Sequence, residues 1–251
     1  MDSDHLPWMG AGLAEAIRLD ALELADLHVD ALYHLDSLGL ITASRDPAAA
    51  APYFHLVRTP RGNRWLIGAH LQSPEREHVA AILSGLEPIA DCAGARVHPP
   101  DVDAIRTALP QRPGSTGEYR GPAFCFPRLS LGADDGDLLT RPAVAQAGPF
   151  AWLRNAEDAA HPIAVIRADN GEIAAVCHSA RSTSAAAEAG VETAVRHRRR
   201  GYAARAVVAW AAAVARSGRV PLYSTNWENV ASRALARRLG LICYGEDLHI
   251  G

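Results

Sequence analysis

The spacing of apolar positions changes several times along the chain, and each change marks an element. Over residues 11–38, Leu13, Ile17, Leu24 and Leu27 fall on one helical face with acidic residues between them, which predicts one or two helices. Residues 53–57 and 64–68 read as two short strands around Pro60, Arg61, Gly62 and Asn63, a hairpin. Ser73 and Pro74 open a helix that runs to about Leu86, with Ser73 as cap and Pro74 at the first helical position. Residues 101–109 suit another short helix. Residues 110–117 are dense in Pro, Gly and Ser and form the best boundary. Beyond it, 123–126 reads as a short strand and 129–160 as short helices. Residues 163–167 and 173–179 predict a hairpin about Asp169, Asn170 and Gly171. A strand at 186–195, a helix from about 199 to 216 and a strand at 220–224 follow. Ala206, Val207, Trp210 and Val214 line one side of that helix. Thr225 and Glu228 have the spacing of a capping box that opens a last helix, which Gly240 closes as a left-handed cap. Residues 241–250 form a final strand or a pair of short ones.

Composition narrows the class. With 251 residues, 49% of them hydrophobic and 21% charged, the chain can bury a substantial core as one large or two small domains. No apolar run reaches the ~20 residues of a membrane-spanning helix. The acidic N-terminus lacks a basic leader region, so the expectation is a cytoplasmic protein without membrane association. Four scattered cysteines (Cys92, Cys125, Cys177, Cys243) form no C-x-x-C pair, so buried free thiols are expected rather than disulfides or a metal site.

Charge is uneven. The net charge of −3 argues against a nucleic-acid partner. Yet residues 191–240 carry ten Arg against two Glu, while the first fifty residues are acidic. Such a local positive patch fits an anionic ligand. For Arg216, Arg219, Arg233, Arg237 and Arg238, a solvated helix face is the simpler expectation.

The patch centres on Arg198, Arg199, Arg200, Gly201, Tyr202 and Ala203, placed between a strand and a helix. The first amides of a helix lack intrahelical partners and lie at the positive end of its dipole. A glycine there lets the backbone approach a bound group, and arginines add charge, so the turn suits a phosphate or pyrophosphate. It has neither the Gly-Lys-Ser/Thr of a Walker loop nor the three glycines of a dinucleotide fingerprint.

The R-x-x-G-x-A pattern after a strand resembles motif A of the GNAT superfamily of acyl-CoA-dependent N-acyltransferases. Asn229 and Ser232, followed by Leu239, Gly240 and Leu241, are similar to that family's N-x-x-A/S helix and its Leu-Gly-hydrophobic step. The resemblance covers roughly residues 120–251. It implies an α/β (mixed α+β) fold, a GNAT-like central mixed sheet flanked by helices, with an N-terminal α/β extension. The expected domains are 1–110, of unknown role, and 118–251, the acyltransferase. The family has two strands after the last helix, and ten residues barely hold two. Either the N-terminal half or the second subunit of a homodimer supplies the missing edge.

The resemblance further implies acetyl-CoA as acyl donor cosubstrate, no metal, and a small-molecule or peptide primary amine as acceptor. Main-chain groups of Val191, Glu192 and Thr193 would pair with the pantetheine arm. Amides from Arg198 through Arg199, Arg200, Gly201, Tyr202 and Ala203 to Ala204 would hold the pyrophosphate. Asn229 matches the position that hydrogen-bonds pantetheine, with Ser232 one turn on; the structural alternative for Asn229 is a residue that caps its own helix. Glu188 and Glu192 are the candidate bases, four apart and so on one face of a regular strand. For each, a surface or edge charge is the alternative. Their pattern also resembles acetyltransferases of the zwittermicin self-resistance type. His178 is a weaker candidate. The family's tyrosine acid falls at Ala236, so Tyr202, Tyr223, Ser224 or water would have to replace it. A thiol with pKa ~8.5 leaves tolerably as thiolate unaided. That missing tyrosine also motivates the alternative, a GNAT-fold module that binds acyl-CoA or another anion without turnover.

Overall fold

The computed structural model describes residues 19–92, 102–110, 117–127, 137–138, 150–152 and 162–251. They divide into two compact units that interleave along the chain.

One unit comprises Leu19–Cys125, Ser224–Arg233 and Ile242–Gly251. Helix α1 (Ala21–Leu32) begins with a reciprocal cap. The Asp20 carboxylate accepts from the amides of Leu22 and Glu23, and the Glu23 carboxylate accepts from Asp20 N–H. The expected helical stretch stops at Leu32, where Tyr33 turns extended and β1 (Tyr33–Leu35) pairs with β2 (Ile41–Ser44). The predicted hairpin is β3 (Phe54–Thr59) and β4 (Gly62–Ile67). Helix α2 (Ser73–Ser84) is capped by Gln72 rather than Ser73, with Glu75 returning a bond to the Gln72 amide. Helix α3 (Val102–Ala108) follows, and then β5 (Glu118–Cys125), twice the expected length.

The last strand, β11 (Ile242–Ile250), is a single strand lying antiparallel between β3 and β5, in the order β4-β3-β11-β5. The N-terminal half thus supplies neighbours to the C-terminal strand. Phe54, Leu56, Val79, Leu83, Ile105 and Leu248 anchor this unit's core. On β11, Asp247 is buried between His28 (3.4 Å) and His55 (3.6 Å). Its neighbour Glu246, also buried, accepts from Trp227 Nε1 at 2.8 Å and lies 2.7 Å from Arg120. Burial pushes the Glu246 carboxyl up, against those bonds.

Cys92 and Cys243 form a disulfide with Cα atoms 6.1 Å apart, contrary to the expectation of free thiols. They are 151 residues apart, so only tertiary structure could reveal the pairing. Cys125 and Cys177 are free and buried, as expected. Burial raises the Cys125 thiol to about 11 and Cys177 well above its ordinary value, so both are inert thiols.

The other unit contains the described parts of Phe126–Tyr223 and Ala234–Leu241. Its strands are β6 (Asp137–Leu138), β7 (Ile163–Arg167), β8 (Ile173–Ser182), β9 (Ala186–Thr193) and β10 (Val220–Ser224), in the order β10-β9-β8-β7-β6. The β9–β10 pair is parallel and the others antiparallel. Helix α4 (Tyr202–Arg216) packs on one face, its Trp210 indole donating to Ser179 Oγ at 3.1 Å. Phe150, Ile163, Val165 and Val176 cluster on the opposite face. The fold class is mixed α/β, as expected. Among the described residues, no helix is long and apolar enough to cross a membrane.

Candidate functional site

The parallel ladder between β9 and β10 joins Ala186–Glu188 to Val220–Leu222 and ends there. Beyond Glu188, among the described residues, β9 pairs with β8 alone. Main-chain direction alternates along a strand. The Ala185 carbonyl accepts from Val220 N–H, whereas Ala186 and Ala194 bond on the β8 side. The main-chain groups of Ala189, Val191 and Thr193 therefore face the opened gap, with Glu192 turned to β8. Part of this edge is engaged, since Arg198 Nε donates to the Thr193 carbonyl at 3.4 Å.

The chain leaves β9 through a short 3-10 turn, Val195–His197, tied to the β7–β8 hairpin. Arg196 and His197 lie 2.7 and 3.4 Å from the Glu172 carboxylate. A bond from Asn170, with smaller help from Arg196 and His197, holds that carboxyl below its ordinary range. Next comes a turn with two left-handed residues, Arg199 (φ 62°) and Gly201 (φ 84°), the second being the N-cap of α4. A left-handed arginine is an uncommon conformation. Among the described residues, the amides of Arg199, Arg200, Gly201, Tyr202 and Ala203 meet no acceptor. The side chains of Arg198, Arg199 and Arg200 are exposed, and Ala204 is buried. A run of unpartnered amides at a helix start, ringed by guanidinium groups, is chemically suited to a diphosphate.

Arg238 belongs beside this turn. Helix α5 (Val230–Arg238) ends with its guanidinium over Gly201, where an added Cβ would meet Nη2 at 3.2 Å. Arg238 is exposed, in keeping with the expected solvated face, while its guanidinium end lies near Gly201. That expectation fails at Arg219, which is buried and donates to Ser217 and Ser182 at 2.8 Å each.

Glu188, Gly190 and Glu192 share the sheet face opposite α4, opposite Arg181, His178 and Val176 of β8. Glu188 is 4% exposed and 3.5 Å from Arg181. Glu192 is exposed and accepts from Trp152 Nε1 at 3.3 Å. His178 fills the space that Gly190 leaves: a Cβ there would meet the imidazole at 2.5 Å. Burial pushes His178 down to about 4, so the ring is neutral near pH 7. Trp152 lies in the stretch read as short helices, and no motif signal marks it.

The remaining expected residues have structural duties. The last helix opens through Asn226 and Asn229, not Thr225 and Glu228. Asn226 Oδ1 accepts from Asn229 N–H at 2.7 Å, and Asn229 Oδ1 from Ser232 N–H at 3.0 Å, the self-capping role. Ala236, at the position where the resemblance implies a tyrosine, is fully buried. Tyr223 is buried at 2% and Tyr202 packs edge-on to His197. Among the described residues, no His, Cys, Asp or Glu cluster is placed to hold a metal.

The profile of the GNAT acetyltransferase family matches residues 159–246, from the start of β7 into β11. No curated protein matches the chain. Among solved structures, a GCN5-related N-acetyltransferase-like protein from Streptococcus suis 89/1591 is 16% identical, with 95% of this chain and 100% of that one covered at TM-score 0.48. A GNAT-family acetyltransferase from Colwellia psychrerythraea is 13% identical over 74% and 75% of the two chains, TM-score 0.45. A GCN5-related N-acetyltransferase from Kribbella flavida is 20% identical over 61% and 63%, TM-score 0.39. At these values the family rests on the sequence match alone, which spans the opened strand pair, the arginine-glycine turn and α5. The likeness to the GNAT acetyltransferase family is thus a match of residues 159–246, about a third of the chain.

Proposed function

We propose that the protein transfers an acetyl group from acetyl-CoA to a primary amine of a small molecule or peptide. The observation that carries this reading is the coincidence of the free β9 edge with five unpartnered amides at the next helix start. The first suits an extended pantetheine amide chain and the second its diphosphate. Val191 and Thr193 would pair with the pantetheine arm. Residues Arg198, Arg199, Arg200, Gly201, Tyr202, Ala203 and Ala204 would surround the diphosphate, joined by Arg238. Asn229 and Ser232 remain candidates for the pantetheine through atoms not used in capping.

Glu192 is the better placed base, because it is exposed whereas Glu188 is buried against Arg181. It would take the proton of the incoming ammonium, directly or through water. The amine nitrogen then attacks the thioester carbonyl, whose oxyanion meets a β9 N–H at Val191 or Thr193. The C–N bond forms, the C–S bond breaks, and coenzyme A leaves as thiolate, which takes up, through water, the second proton that the nitrogen sheds as it becomes an amide. With Ala236 in place of a tyrosine, no side chain is assigned to that last step. A cytoplasmic setting goes with this donor, although a disulfide is more typical of oxidising compartments. The domains we propose are an acyltransferase at 118–251 and an N-terminal region at 1–110, with homodimerisation left to direct measurement.

Saturating acetyl-CoA at a hundred times its dissociation constant should stabilise the fold by about 2.7 kcal/mol. Failure to stabilise it removes the reading. The buried Ala236 favours a second reading, a non-catalytic module that binds acyl-CoA or another anion. In that case acetyl-CoA stabilises the protein, and substituting Glu192 changes no measurable turnover.

A further inference from the structure

We propose that Trp152 and Glu192 together form the subsite that recognises the acceptor as a cation. The proposal deepens the acyltransferase reading by naming the acceptor class, an alkylammonium compound. Trp152 is a large aromatic residue left 38% exposed. Its edge-on contact with His178, centroids 4.7 Å apart, orients the ring, and its Nε1–H donates to Glu192 Oε2. His178 in turn is wedged against the Gly190 backbone, so the indole stands on a rigid support. Glu192 carries a negative charge that no cationic side chain meets among the described residues. The neighbouring guanidinium, that of Arg181, is matched by Glu188.

A partly exposed indole beside a carboxylate that no cationic side chain meets among the described residues is a pairing that binds ammonium groups. The ring supplies its negative quadrupole face and the carboxylate supplies charge. His178, being neutral, does not repel a cation arriving there. The indole N–H fixes one carboxylate oxygen and leaves the other for the ligand. A neutral isostere gains only burial at the same place. The acceptor thus arrives protonated, is held over Trp152, and gives its proton to the carboxylate that holds it.

The test uses the full chain without acetyl-CoA, so it is independent of turnover. Choline is the cationic probe and 3,3-dimethylbutan-1-ol its neutral isostere. The protein has five tryptophans, so the indole N–H signal lost in Trp152→Ala identifies Trp152 in an NMR spectrum. Choline should move that signal saturably and the isostere should not. Trp152→Ala should weaken choline binding about three- to thirty-fold, the range of a cation–π contact. Trp152→Phe, which keeps a ring and loses the N–H, should weaken it less. If both probes move the signal alike, or neither does, the proposal is overturned, and the wild-type titration decides this even if Trp152→Ala does not fold. Amine acetylation alongside such a negative result would leave the acyltransferase reading intact. Choline binding without acetylation would overturn only that reading.

Discussion

Gly201→Ala separates the backbone's role in folding from its role in binding. Gly201 has φ 84° and ψ −2°, and an L-residue held in that left-handed region costs about 1–2 kcal/mol. The new Cβ meets only Arg238 Nη2 at 3.2 Å and Nη1 at 3.6 Å, the mobile end of an exposed side chain, so packing adds little. Gly171 provides the control: its φ is 81° and nothing lies within 4 Å of an added Cβ. The two alanine variants should therefore lose similar stability. At roughly 2–4 °C per kcal/mol for a chain of this size, each Tm falls by a few degrees. Binding should separate them. A methyl group among the unpartnered amides, with Arg238 displaced, should weaken coenzyme A binding about tenfold, equivalent to about 1.4 kcal/mol. Gly171→Ala should bind as wild type does. Chemical denaturation gives the first quantity and titration calorimetry the second. Equal affinity in both variants would refute the assignment of the diphosphate to this turn, and an undiminished Tm in Gly201→Ala would refute the left-handed geometry.

Three further outcomes follow from the same geometry. Glu192→Gln should keep its Tm and lose about 10²–10⁴ of kcat, the usual worth of a positioned base. Glu188→Gln should instead lower the Tm, because it removes the charge facing Arg181 in a buried place; the reverse pattern would exchange their roles. Arg238→Ala, measured by calorimetry, should weaken coenzyme A binding about five- to thirty-fold and leave stability unchanged, whereas unchanged affinity would leave Arg238 as part of the solvated face alone. His178 titrates near 4 in the fold against 6.5 in an unfolded chain, so the unfolded state takes up the proton first as pH falls. Its contribution is complete above pH 6.5 and lost between 6.5 and 4, by up to about 3 kcal/mol, less what residual exposure screens. Denaturation of His178→Gln across that window should show a shallower loss, and parallel curves would contradict the burial.

Local chemistry made part of this molecule readable from its sequence. The β7–β8 hairpin was marked by two continuous apolar runs and by Asn170-Gly171 between them, where Gly171 turns with φ 81°. The arginine-glycine turn and the Gly240 cap were readable because left-handed backbone selects glycine. Where partners are distant in sequence, reading failed. Nothing local ends α1 at Leu32, because β1 forms by pairing with β2. Asp247 in a strand reads as a surface position, yet His28 and His55 enclose it. The Cys92–Cys243 bond spans most of the chain. In the candidate site, the sequence proposed Glu188 and Glu192 without ranking them, since burial beside Arg181 is what distinguishes them. Trp152 and Arg238 were missed because one lies in a stretch without clear period and the other acts through a contact 37 residues away on Gly201.

The most direct measurement of the central claim is the release of free thiol from acetyl-CoA in the presence and absence of a panel of alkylamines. The account predicts amine-dependent release, stoichiometric with acetylated amine and abolished to within a few per cent by Glu192→Gln. Stabilisation by acetyl-CoA with no amine-dependent thiol release, in wild type and variant alike, would contradict it and leave a protein that binds the donor without using it.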